Sequence, residues 1–287
     1  MTVAVALVTL GGLTLLLAVM LIIANKKLYV YEDPRIEVVE EMLPHANCGA
    51  CGYPGCRPFA EALVSGESPP AKCTVSSPEG LAAIAEYLNV ALGAQEKLMA
   101  RLACAGGTNV ALNRAQYEGI PTCQAAALVS GGGKGCFWGC LGHGDCDAVC
   151  DFDAITMDAF SIPQVDEDKC TACGDCVEVC PKDLFSLQPV SHQLWVACKS
   201  LEAGDEILED CQVACTACGK CAMDAPGDLI TMEHNLPVVN YSGTQIMDPI
   251  QRCPTGAIVW LDQKLGVVKG RESKKIVRKG PRQMGSS

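Results

Sequence analysis

The residues of this chain that can do chemistry are its cysteines, 20 in 287 residues. Cys170, Cys173, Cys176 and Cys180 form a C-x2-C-x2-C-x3-C-P run, and Cys136, Cys140, Cys146 and Cys150 precede it as another group of four. A 4Fe–4S cube needs four thiolates that converge from different directions. A tight loop supplies three, and a more distant residue supplies the last. Gly174 keeps side-chain bulk off the loop where the backbone must wrap such a centre, and Pro181 fixes the turn after the distal cysteine. Zinc also takes four thiolates, as paired C-x2-C, but x2-x2 spacing followed by x3-C-P is not its usual pattern. Disulfide frameworks belong to small secreted domains, and these cysteines lie too close along the chain to pair easily.

The elements around these groups are similar to those of bacterial two-cluster ferredoxins. There the fourth cysteine of each run crosses to the other cluster. The cross-over assigns Cys136, Cys140, Cys146 and Cys180 to one 4Fe–4S cluster, and Cys150, Cys170, Cys173 and Cys176 to a second. Residues 154–157, 163–165 and 184–187 read as short strands, with a helical turn after each cysteine loop. Asp151 stands where a proline commonly follows the distal cysteine. A further module holds Cys215, Cys218, Cys221 and Cys253, and it is half degenerate. Ala225-Pro226 replaces the expected C-P, and no C-x2-C-x2-C precedes Cys253, so one cluster is expected there in place of two.

Upstream, Cys48, Cys51, Cys56 and Cys73 are spaced C-x2-C-x4-C-x16-C, with Gly49, Gly52 and Gly55 among them and a helix expected from Phe59. They suit another 4Fe–4S site, although this spacing alone leaves zinc open. Residues 3–24 are 22 uncharged, apolar residues, long enough at about 1.5 Å per residue to span a bilayer core. No basic residue precedes the run, and it is long for a signal-peptide core, so a membrane anchor is expected. Lys26 and Lys27 follow, which puts the rest of the chain on the cytoplasmic side of the inner membrane. That reducing compartment suits thiolate clusters. Residues 29–47 read as a short linker and an amphipathic helix carrying Ile36, Val39 and Leu43, and residues 78–103 read largely as helix. Ser130–Gly135 reads as a flexible hinge. It is not a phosphate loop, because it lacks G-x4-G-K-[ST].

The anchor with its K-K, D-P-R-I-E-V-V-E-E, N-C-G-A-C-G-Y-P-G-C, C-A-G-G, Y-E-G-I-P-T-C-Q-A-A and G-C-F-W-G-C-L-G-H-G-D-C occur in one order from residue 1 to about 260. In these motifs the chain resembles the RnfB family, a component of the Rnf electron transport complex, which couples electron flow between reduced ferredoxin and NAD to ion movement. The resemblance implies a 4Fe–4S cluster on Cys48, Cys51, Cys56 and Cys73. It also implies further clusters on the ferredoxin-like modules, and partners among soluble ferredoxin and the membrane and flavin-bearing subunits of such a complex.

The expected architecture is therefore α+β: a transmembrane anchor (1–27), a small helical cluster domain (28–103), a connecting segment (104–135), a two-cluster ferredoxin-like module (136–190), a degenerate one-cluster module (191–262) and a basic tail (263–287). The cofactor expectation is four 4Fe–4S clusters on sixteen cysteines. Cys104, Cys123, Cys198 and Cys211 fall in no recognisable set. The first two read as small buried side chains, and a fifth cluster from the four has no ligand spacing behind it. His45, His143, His192 and His234 are scattered and are not expected to ligate. A net charge of −11 argues against a nucleic-acid partner. The tail carries eight Lys/Arg and one acid; it is expected to be solvated and disordered, with a charge that suits anionic lipid or an acidic partner. No catalytic triad or dinucleotide fingerprint is present, so the chain reads as an electron wire with no active site of its own. The alternative is an electron-delivery protein of the same type, serving another membrane or soluble redox enzyme.

Overall fold

A computed structural model describes residues 2–28, 32–94 and 96–282. Residues 29–31 of the expected linker and 283–287 of the tail lie outside the described residues. The chain divides into two units, one of Met1–Asn47, Tyr53–Pro70 and Ser76–Leu92, the other of Cys48–Gly52, Ala71–Val75 and Gly93–Ser287.

The first unit is helical. Helix α1 (Thr2–Leu28) contains the span Leu7–Leu28, with mean hydropathy 2.6 and none of it buried, which is long and apolar enough to cross a membrane. Helix α2 (Pro34–Met42) starts where the Asp33 carboxylate accepts the Arg35 N–H and Pro34 pre-sets a helical φ. Helix α3 (Cys56–Ser65) stops at Gly66, whose φ of 78° closes the last turn. Helix α4 (Pro78–Leu88) is capped by the Ser77 hydroxyl. Helix α2 packs on α3 and α4 and buries Val39, Leu43, Phe59, Leu63 and Ile84 between them.

The expected helix over 78–103 ends early, because Asn89 turns left-handed at φ 52°. Beyond it, strand β1 (Leu98–Leu102) belongs to the second unit, which mixes short strands and short helices. In order these are α5 (Cys123–Leu128), α6 (Asp145–Ala148), β2 (Ile155–Met157), β3 (Pro163–Val165), α7 (Asp175–Val179), β4 (Phe185–Pro189), β5 (Leu194–Val196), α8 (Ile207–Asp210), α9 (Lys220–Asp224), β6 (Ile230–Glu233), β7 (Leu236–Val239), β8 (Ile258–Asp262) and β9 (Gly266–Val268). These strands pair antiparallel: β1 with β4, β2 with β3, β6 with β7, and β5–β8–β9. The β6–β7 turn is His234-Asn235, both at positive φ, the geometry that matches strand twist in a two-residue hairpin. The fold class is thus α+β.

Three parts differ from expectation or add to it. The glycines at 131–135 are not a hinge. Gly133 accepts the amides of Arg114 and Ala115, and Gly135 donates to the Leu112 carbonyl, so the segment is stitched to the strand-like run beside it. Where the degenerate module lacks cysteines, the space is filled. Ile250 is fully buried, the Tyr241 hydroxyl donates to Leu194 O, His192 stacks on the Tyr241 ring at 3.6 Å, and Gln245 accepts the amides of Gln193 and Leu194.

The basic tail is not free over 264–282. Glu272 and Lys274 donate backbone N–H groups to Gln251 O and Pro254 O, Arg282 donates to Thr108 O, and Ile276 packs on the core around Val110 and Val213. Hydrogen bonds and an apolar contact therefore outweigh the solvation of its charges. A methyl group at Gly270 would overlap the Ile250 carbonyl. Gly270→Ala is expected to loosen the strap by about 1–3 kcal/mol and to speed protease cleavage after Lys274 and Lys275. Unchanged cleavage would speak against the docked tail.

Candidate iron–sulfur sites

Two loops of near-identical sequence, Cys170-Thr-Ala-Cys-Gly-Asp-Cys176 and Cys215-Thr-Ala-Cys-Gly-Lys-Cys221, adopt the same backbone. Ala172 and Ala217 sit at φ 59° and 57°, and Gly174 and Gly219 at 100° and 70°, before the chain enters α7 and α9. An alanine held left-handed costs about 1 kcal/mol, so something must hold the loop in that curl. Each loop bends around a cavity. Cys150, Cys170, Cys173 and Cys176 line the first, about 340 Å³ of void with its mouth included, walled by Ala100, Ile155 and Leu187. Cys215, Cys218, Cys221 and Cys253 line the second, about 350 Å³, walled by Met232, Pro237 and Ile258.

A third cavity of about 340 Å³ is lined by Cys123, Cys140, Cys146 and Cys180. Cys180 thus reaches away from its own run, and Cys150 reaches the other way, as the cross-over pattern describes. The expected fourth member, Cys136, is not there; Cys123 takes its place. The reason is local. Thr122 caps α5 through the Ala125 N–H, and the Asp145 carboxylate accepts the amides of Cys123 and Gln124, which clamps the start of α5 against the loop that carries Cys146. Cys136 instead lines a fourth cavity, of about 320 Å³, together with Cys104, Cys198 and Cys211. All four residues missed as ligand candidates in the sequence therefore lie on cysteine-lined cavities.

Backbone amides point at sulfur around the first and third cavities. Ala154 N donates to Cys150 Sγ at 3.4 Å, Ala100 N to Cys170 Sγ at 3.5 Å and Leu184 N to Cys180 Sγ at 3.5 Å. Such bonds favour the thiolate. Burial works the other way: it pushes Cys140, Cys146, Cys176, Cys211 and Cys215 up to about 12, and Cys136 and Cys221 to about 11, with neighbouring thiols adding to the rise. As free thiols these groups keep their protons at neutral pH, so a centre that binds there displaces protons and binds more tightly as pH rises.

Cys48, Cys51 and Cys73 fall in the second unit, and Cys56 opens α3 of the first. The Asn47 side chain accepts the Cys56 N–H at 2.8 Å, which fixes the start of the helix; the positive end of the helix dipole favours a thiolate there. Thr74, next to Cys73, donates to the Thr171 carbonyl at 2.6 Å and ties that segment to the Cys170–Cys173 loop.

Four thiols per cavity, amides aimed at sulfur, apolar walls and ferredoxin-like loops define the class: this is an iron–sulfur protein. Comparison with known proteins agrees. The family described as "Putative Fe-S cluster" matches residues 43–75, and the family described as "4Fe-4S binding domain" matches residues 162–185. The chain is 42% identical over 250 residues to the B component of the Na(+)-translocating ferredoxin:NAD(+) oxidoreductase complex of Acetobacterium woodii, an alignment covering 87% of this chain and 75% of that one. It is 38% identical over 264 residues to the proton-translocating counterpart of Clostridium ljungdahlii, covering 90% and 92%. It is 33% identical over 208 residues to the B component of the ion-translocating oxidoreductase complex of Methanosarcina acetivorans, covering 72% and 79%. The chain belongs to the RnfB family of ion-translocating oxidoreductase complexes.

Proposed function

We propose that this chain is the anchored electron-transfer subunit of an Rnf-type complex, taking electrons from soluble ferredoxin and passing them to flavin-bearing membrane subunits. Reduction of NAD and movement of ions would fall to those other subunits, since among the described residues one helix is long and apolar enough to cross a membrane, and one helix alone forms no ion path. When bound, 4Fe–4S clusters supply one-electron chemistry at potentials set by burial and by hydrogen bonds to sulfur. The carrying observation is the recurrence of one arrangement, four cysteines around a small apolar-walled cavity, within one unit.

In this reading Cys150, Cys170, Cys173 and Cys176 hold one cluster, Cys123, Cys140, Cys146 and Cys180 a second, and Cys215, Cys218, Cys221 and Cys253 a third. Cys48, Cys51, Cys56 and Cys73 hold the N-terminal one. Among the described residues, no three His, Cys, Asp or Glu side chains converge closely enough to hold one metal ion. Thiols spread around a void fit a cube of iron and sulfide better than a single zinc. The walls exclude water, and the amides from Ala100, Ala154 and Leu184 hold the sulfurs in place. Lys26 and Lys27 after the span favour the cytoplasmic side for the cysteine loops, within reach of a soluble donor.

The test is anaerobic. Full-length protein in detergent is mixed with reduced ferredoxin, and the broad visible absorbance of the protein is followed. Bleaching in proportion to added ferredoxin is expected. An iron-loaded protein that ferredoxin leaves unbleached, while dithionite bleaches it, would remove ferredoxin as the donor.

A further inference from the structure

We infer that Cys104, Cys136, Cys198 and Cys211 hold a fifth 4Fe–4S cluster, placed as a bridge between the two ferredoxin-like modules. The inference rests on the iron–sulfur reading above. No two of these cysteines share a motif. They arrive from four separate segments: after β1, after the glycine turn, after β5 and after α8. Their cavity, about 320 Å³, matches the three others in size and in its four thiols. Cys136 and Cys211 are 7% and 5% exposed, and Trp138, Val213 and Ala214 wall the space. All four are free cysteines, and among the described residues no three donors converge on a point where one ion could sit.

The surroundings are built for thiolates. Cys104 Sγ accepts the amides of Gly106 and Cys140 at 3.4 and 3.5 Å. Cys198 Sγ accepts those of Ser200 and Cys215 at 3.5 and 3.3 Å. Two amides thus converge on each of these two sulfurs, which favours their thiolate forms. The Lys134 ammonium lines the same cavity and donates to the carbonyls of Gly106 and Cys140, which sets a positive charge beside a group whose four thiolates leave it negative. The segments are firmly held as well. Ala105 N donates to Ala197 O, Gly135 N to Leu112 O, Ala111 bridges Cys211, and Arg114 pairs with Asp210 at 2.7 Å.

Position gives the site its role. The amide of Cys140 serves Cys104, while the Cys140 thiol lines the first module's cavity. The amide of Cys215 serves Cys198, while the Cys215 thiol lines the second module's cavity. A backbone link from each flanking site thus ends on this one. One electron would enter from the Cys140 side and one leave on the Cys215 side, with no bond made or broken and no proton required.

The experiment counts iron and acid-labile sulfide in the full-length protein purified anaerobically in detergent, with Cys198→Ala, Cys211→Ala and the double variant alongside. About 20 irons per chain are expected for the unaltered protein. Each single variant loses about four, and the double variant loses no more than either single, because both remove the same centre. About 16 irons in the unaltered protein, with no further loss in the variants, overturns the bridge and leaves the electron-transfer reading standing. Near-zero iron, with zinc in its place, overturns both. If a variant fails to fold, the count on the unaltered protein still decides between about 20 and about 16.

Discussion

Cys123→Ala in the full-length protein is expected to lower iron content by about four atoms per chain and to cut electron uptake from reduced ferredoxin severely. Cys123 is one of four thiols on its cavity, and the other three come from two distant segments, so nothing nearby replaces it. Leu184 and Phe185 are 2% and 5% exposed beside it and keep out the water that could act as a fourth ligand. The decisive comparison is with Cys136, which the ferredoxin pattern alone would place on this cavity. Two separate sites predict that Cys123→Ala/Cys136→Ala loses about eight irons. A shared site predicts about four, and that result would return Cys136 to the position that the spacing suggested. Asp145→Ala, which frees the start of α5 while leaving every thiol, is expected to make the same centre labile to oxygen first, visible as faster loss of absorbance in air.

Stripping all iron from the chain is expected to abolish cooperative folding of the second unit. Its sheets have two or three strands, each of three to five residues. Sheets that small are marginal in water on their own. Its apolar clusters are built around cysteines: Cys215, Cys221 and Cys253 sit among Leu194, Ile230, Ile250 and Ile258, and Cys146 and Cys176 among Ala100, Ile155 and Phe185. Each centre cross-links several segments, as a structural zinc does at about 10–16 kcal/mol of folding energy. The iron-free protein should show loss of the near-UV circular dichroism of Trp138, Trp195 and Trp260 and rapid proteolysis beyond residue 93, while α2–α4 remain helical. A sharp melting transition at unchanged temperature after complete iron removal would refute this.

Sequence alone reached the ferredoxin-like loops because their ligands are local. Three cysteines in seven residues, with Gly174 or Gly219 between them, announce a wrapped centre. The strands at 155–157, 163–165 and 185–189 follow from the same repeat. What escaped were cavity-lining cysteines brought in by tertiary contact. Cys123 depends on Asp145, 22 residues away, to hold it in place. Cys104, Cys136, Cys198 and Cys211 meet only once β1 has paired with β4 and the 103–105 segment has bonded to Leu184 and Ala197. The one signal in the sequence was arithmetic: 20 cysteines divide evenly by four, and four spare thiols beside four expected sets of four would be odd. The tail misled because its charge is real, while part of what docks it is backbone hydrogen bonding that charge patterning cannot reveal, and Arg278 and Arg282 turn their guanidinium groups to the carbonyls of Asn109 and Leu208. The β1 strand was read as helix because five residues of mixed character between an asparagine and a cysteine carry no decisive period.

The filled half of the degenerate module has a further consequence. A two-cluster ferredoxin is a conductor with a terminal at each end. Here the end built from Tyr241, His192, Gln245 and Ile250 is solid side chain and backbone, which on the proposed reading makes it an insulator. On that reading, charge reaching the Cys215 site from the proposed bridge would find side chain and backbone, with Ile250 fully buried, where a further centre would have stood. Cys218 is the exposed cysteine of that set, so its surface is the outlet left in the casing. Traffic that would have had two directions is given one, and the loss of four ligands reads as the fitting of a plug.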